Sequence, residues 1–143
     1  MMLVNPAVRT PIAIGLGAIA GALSRYYVGL GLTHWLKPYL GTTFPYSTLT
    51  INLTGCLGMG ILVALLLHWG DRIHPDARVL LTTGFLGSYT TFSTYELDMA
   101  KLLQQHTVAS GLLYGAGSAG LGLACLYLGM GLTEKVLQYF SRP

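Results

Sequence analysis

Long apolar runs separated by short polar breaks organise this chain. No Asp, Glu, Lys or Arg lies between Lys37 and Asp71, between Arg78 and Glu96, or between Lys101 and Glu134, and the stretch from Arg9 to Arg25 carries no charge between its ends. A helix that crosses the hydrocarbon core needs about 20 mainly apolar residues. Four stretches meet that length, at about 11–32, 48–69, 79–103 and 108–132. Helix breakers fall between them: Lys37-Pro38-Tyr39-Leu40-Gly41 with Pro45, then Gly70 to Asp76 around Pro75, then Gln104, Gln105 and His106. Such short connections make successive helices antiparallel neighbours. The expectation is an all-α integral membrane protein, a single four-helix transmembrane domain over residues 1–143.

Composition sharpens this reading by exclusion. Only 9% of the 143 residues are charged and 52% are hydrophobic. An ordinary soluble domain carries roughly 25% charged residues, so this chain cannot keep a small domain's large surface wet. The net charge of +3 is spread along the chain and forms no nucleic-acid patch. Cys56 and Cys125 stand far apart, without the spacing of a disulfide framework or a zinc site, and are expected to be small packing residues. The first apolar stretch lacks the basic start of a signal peptide and reads as a retained helix. Arg9, Arg72, Arg78, Lys135 and Arg142 fall on the side of the termini, against Lys37 and Lys101 on the other, joined by Arg25 if it reaches the interface. Loop charge favours termini in the cytoplasm, but the bias is weak enough to permit both orientations.

Two helices carry G-x-x-x-G, at Gly17–Gly21 and Gly111–Gly115. In lipid, close backbone packing joins helices where no hydrophobic force does. Four short helices also cannot enclose a polar path alone, so a homo-oligomer is expected, most simply a dimer. Packing inside one chain is the competing use of these glycines.

Three polar features sit at membrane depth. Arg25 costs about 2.5–3.5 kcal/mol at mid-bilayer on insertion scales; it either snorkels from its span end or builds an electropositive vestibule. Asn52 shares a helix face with Thr48, four residues earlier, and serves either as inter-helix glue or as a donor aimed into a pore. The third feature is Thr90-Thr91-Phe92-Ser93-Thr94-Tyr95, with five hydroxyls in six residues, preceded by Gly84-Phe85-Leu86-Gly87-Ser88. Local side-chain bonds compete with the helix there. A broken helix at depth is tolerated where it lines a cavity, and such breaks form ion and substrate sites. A kinked packing helix with Ser/Thr back-bonds is the plainer alternative. No nucleophile–base constellation or metal pair of histidines is visible, so enzymatic chemistry is not expected.

The stretch from Gly84 to Tyr95 resembles the signature of the CrcB/Fluc fluoride channel family. Thr50-Ile51-Asn52-Leu53-Thr54-Gly55 is similar to its second motif and Gly21-Ala22-Leu23-Ser24-Arg25-Tyr26 to its first-helix motif, in the same order along nearly the whole chain. The resemblance implies an antiparallel, dual-topology homodimer in the cell inner membrane, with the third helix broken mid-membrane and two pores for passive fluoride efflux. It overrides the single orientation that loop charge favours. It places Phe92 and Tyr95 along the pores, with Asn52, Thr48 and Ser118 as polar partners and Arg25 at the vestibule. It also implies a structural Na+ at the dimer centre, held by the backbone carbonyls of Gly87 and Thr90 of each subunit. Its partners would be fluoride, a second copy and the bilayer, with no nucleic acid. Two departures stand out: Tyr95 replaces a usual Phe, and Ser88 replaces a common Gly.

The implied chemistry is consistent with the residues. Stripping water from a carboxylate-sized ion costs on the order of 20 kcal/mol, and a smaller anion costs more. Electropositive ring edges and neutral hydrogen-bond donors can replace that shell without a fixed charge, so that the ion can leave again. The competing function is a small four-helix, proton-coupled multidrug or cation exporter, for which Glu96 and Asp98 are the only available intramembrane carboxylates. A structural protein without transport is a third class.

Overall fold

The computed structural model describes residues 5–40, 44–105 and 107–140. Gly41, His106 and Arg142, which entered the loop and charge readings above, lie outside the described residues. Helix α1 spans Pro6–Leu40, α2 Tyr46–Trp69 and α6 Val108–Phe140. These three are long and apolar enough to cross a membrane. Between α2 and α6 the chain forms a short 3-10 turn, Gly70–Arg72, then α3 (Pro75–Val79), a π-helical segment (Leu80–Leu86), α4 (Gly87–Tyr89) and α5 (Phe92–Gln105). No strand occurs among the described residues.

The long helices outrun the apolar stretches that predict them. Helix α1 continues through Pro38 to Leu40, where a loop was expected. Pro38 removes one amide donor from the closing turn of a 35-residue helix, which leaves most of the ladder intact. Helix α6 likewise carries Glu134 and Lys135 beyond the apolar run. At 1.5 Å per residue, α1 is about 50 Å long, well over the roughly 30 Å hydrocarbon thickness, so its ends project.

Glycines decide which helices touch. A side chain at Gly17 would collide with the Leu80 carbonyl, and one at Gly21 with the Phe85 carbonyl and the Ser88 hydroxyl. From the other side, a Cβ at Gly84 would lie 2.7 Å from the Ile14 carbonyl oxygen and 2.9 Å from Gly17 Cα. The first G-x-x-x-G is thus spent inside the chain, seating α1 against the π-helical segment. Ser88 fastens the same contact, its single hydroxyl proton shared between the Ala18 carbonyl at 2.9 Å and the Gly84 carbonyl at 2.7 Å. This gives the Ser-for-Gly departure a structural use. Gly60 and Gly129 bring α2 and α6 equally close, each facing a carbonyl of the other helix. Gly111 and Gly115 meet the Leu103 and Met99 side chains of α5, so the second motif is also used within the chain, whereas Gly117 and Gly120 face open space.

Few side chains are buried: Ala13, Ile51, Ala64, Leu86, Leu102, Tyr114 and Leu137 form the apolar core. Ile12, Leu16, Ile19 and Leu23 of α1 point outward, the arrangement expected when lipid rather than water is the solvent. Cys56 and Cys125 are free and half-buried, with Cys56 Sγ packed beside Gly122. Near the chain start, Arg9 pairs with Asp76 and Thr10 donates to the same carboxylate at 2.9 Å, tying α1 to α3.

Candidate functional site

The helical ladder fails at Thr90–Thr91. Helix α4 ends at Tyr89, Thr90 adopts an extended backbone (φ −77°, ψ 158°), and α5 starts at Phe92. Asn52 of α2 holds this interruption. Its Oδ1 accepts from the Thr91 amide at 2.9 Å and its Nδ2 donates to the Thr91 carbonyl at 3.1 Å. One side-chain amide therefore substitutes for both helical partners of one residue, satisfying groups that are costly to leave unpaired away from water. The second Nδ2 proton remains available for donation. Thr91 Oγ1 in turn accepts from the Thr94 amide at 3.3 Å, which starts α5.

This arrangement releases two carbonyls. In a continuous helix the Thr91 amide would reach the Gly87 oxygen and the Thr94 amide the Thr90 oxygen. Both donors are diverted, one to Asn52 and one to Thr91 Oγ1. The oxygens of Gly87 and Thr90 are the pair named above for a sodium ion. They are hard, neutral donors of the kind that unwound membrane helices present to Na+. Arg25 lies beside one of them, its Nη1 3.5 Å from the Thr90 oxygen.

Below the break, an aromatic row crosses from α5 to α6. The Phe92 and Tyr95 rings are 5.6 Å apart, Tyr95 and Tyr114 5.5 Å, and Tyr114 and Phe44 5.5 Å in an edge-on contact. Spacing of three residues on α5 puts Phe92 and Tyr95 side by side. The Tyr95 hydroxyl donates to the Gly115 carbonyl at 2.8 Å. The extra oxygen is thus turned toward α6 and satisfied there. Phe92 is 74% exposed in the single chain.

Two hydroxyls beside this row have no protein partner. Tyr114 and Ser118 are one turn apart on α6, and both side-chain oxygens are buried without a hydrogen bond. Among buried polar groups such orphans are uncommon and call for an explanation. Thr48, only 6% exposed, donates to Asp98 Oδ2 at 2.6 Å. Thr48, Thr94 and Asp98 line a cavity of about 540 Å³ that also reaches Phe44, Lys37 and Lys101. Arg25 is not among the residues lining that cavity.

The structure therefore brings Asn52, Thr90, Gly87 and Arg25 together at the break, and Phe92, Tyr95 and Tyr114 in the row below it. Thr48 stands at the cavity, and Ser118 joins Tyr114 on one face of α6. Tyr114 and Asp98 are the residues that sequence reasoning passed over for this site. Tyr114 sits four before Ser118, a spacing that places both on one helix face. From the sequence alone Asp98 offers only a proton relay.

Apolar helices of spanning length around a side-chain-held helix interruption define a multi-pass helical membrane protein. Residues 12–130 match the family described as CrcB-like protein, Camphor Resistance (CrcB), and the chain belongs to that family. Every residue named above for pore, vestibule or metal falls within that range. A "Fluoride-specific ion channel FluC" of Trichormus variabilis is 50% identical over 129 residues, covering 90% of this chain and 91% of that protein. Proteins of the same name from a Synechococcus species and a Synechocystis species are 48% and 47% identical, covering 90% and 91% of this chain and 95% and 96% of their own lengths.

Proposed function

We propose that this chain forms a fluoride-specific ion channel that gives passive fluoride efflux across the cell inner membrane and lowers cytoplasmic fluoride. The observation that carries the reading is the pair of buried, unpartnered hydroxyls, Tyr114 and Ser118, set beside a row of aromatic rings. A small anion needs donors to replace its water, and these two have no competing protein acceptor. The ring edges of Phe92 and Tyr95 add weak positive potential without a fixed charge, so an ion can enter and leave. Asn52 contributes its spare amide proton at the break, and Thr48 stands near the mouth, where its hydroxyl could serve the anion only by turning its proton away from Asp98. The process is transport, with no bond made or broken.

The interrupted run from α3 to α5 acts in this reading as the third of four crossings, broken mid-membrane. The working unit is an antiparallel, dual-topology homodimer with two pores. Its support is the exposure of Phe92 and Gly87 in the single chain, which a second copy would cover. Pairing two copies through the break would gather four oxygens, Gly87 and Thr90 from each, around a structural Na+. The like charge of the Arg25 guanidinium favours its leaving the Thr90 oxygen for the vestibule when sodium binds.

Purified protein in liposomes, followed with a fluoride electrode, tests the function. Rapid fluoride release with chloride retained is the expected result; equal release of both ions would refute it.

A further inference from the structure

We propose that Lys101 and Lys37 form a cationic collar that offsets Asp98 at the cavity mouth and sets the rate at which anions enter. This rests on the fluoride reading above and assigns the entry step of the same site. A carboxylate is out of place on an anion's path. Asp98 is only 15% exposed and lines the 540 Å³ cavity, where its charge repels an incoming anion. Thr48 donates to one of its oxygens, but a neutral hydroxyl leaves the charge in place. Lys101 stands one turn further along α5, its Nζ 4.0 Å from the other carboxylate oxygen and its side chain 55% exposed. Lys37, from the last turn of α1, lines the same cavity. Two cations against one carboxylate leave the mouth with a charge of +1. Fields from exposed charges act on association rate and fade with salt.

The experiment measures initial fluoride efflux from liposomes containing the full chain, at about 10 mM and about 1 M ionic strength set with an impermeant salt, where the Debye lengths are about 30 and 3 Å. At low ionic strength Lys101→Gln is expected to slow entry about tenfold, the scale on which rim charges alter on-rates. Lys37→Gln slows it less, the double variant slows it further, and Lys101→Arg retains the wild-type rate. At high ionic strength all converge on the wild type. Adding Asp98→Asn to Lys101→Gln restores part of the lost rate, an effect that a purely structural lysine would not give. Lys37 lies on a different helix, so its variant tests the collar even if a change at Lys101 disturbs α5. Wild-type rates in the Lys37→Gln/Lys101→Gln double variant at low salt, or equal slowing at both salts, would overturn the collar. A wild-type protein that releases no fluoride would overturn both it and the function it rests on.

Discussion

Asn52 makes a demanding test of the site because its two hydrogen bonds have separate consequences. Replacing it with Leu removes both partners of the Thr91 backbone, the bonds of 2.9 and 3.1 Å. Each buried backbone group left unsatisfied costs about 1–3 kcal/mol, so the pair costs about 2–6 kcal/mol. That is a large share of the roughly 5–15 kcal/mol by which a typical protein is stable. Asn52→Asp separates the two bonds. A carboxylate still accepts from the Thr91 amide, but its second oxygen faces the Thr91 carbonyl, so one attraction becomes a repulsion. It also introduces a negative charge at the break, which opposes an anion. Stability is read as resistance to thermal unfolding in detergent, and flux with the fluoride electrode. The Leu variant is expected to lose stability most; the Asp variant should still assemble, with flux reduced at least tenfold. Wild-type melting and wild-type flux in Asn52→Asp would show that the amide neither holds the interruption nor serves the pore.

Four further outcomes follow from the same geometry. Tyr114→Phe and Ser118→Ala should each slow fluoride release while leaving stability unchanged or raised by about 1 kcal/mol, because each removes a buried hydroxyl without a partner; unchanged flux in both would strike these groups from the pore. Tyr95→Phe should keep most of the flux and lose about 1 kcal/mol of stability with the bond to the Gly115 carbonyl, whereas Phe92→Ile should abolish most flux without changing how the protein assembles; efflux and size-exclusion profiles read both. Gly21→Val places a side chain against backbone and should destabilise by at least the 1–3 kcal/mol of an overpacked core, visible as lost monodispersity. Exchange of sodium for a bulky organic cation should weaken dimer association; unaltered association would remove the ion from the structural account.

The sequence made some of this legible and not the rest, for physical reasons. Charge-free runs of membrane length need no tertiary information, and α2 at Tyr46–Trp69 begins and ends within two residues of the stretch that predicts it. The ladder's interruption falls inside the hydroxyl-rich run because hydroxyls offer the backbone local alternatives, as Thr91 Oγ1 does for Thr94. The π-helical segment was not legible. It packs against α1 at Gly17 and Gly21, a contact across 67 positions that no local pattern encodes. Asn52 was recognised as out of place, yet whether its amide faced a pore or a backbone depended on the register of α2 against α5. Tyr114 was hidden inside an apolar run, since a phenol becomes informative only once its hydroxyl is seen to lack an acceptor.

The clasp between Gly17 and Gly84 also bears on how the chain is made. The helix that emerges first finds its seat only when residues near Ser88 have left the ribosome, about 70 positions later. At roughly 5–20 residues per second that is an interval of about 3–14 s. Throughout it, a helix notched by glycines waits in the bilayer with its closest-packing surface open to whatever other nascent segment drifts past.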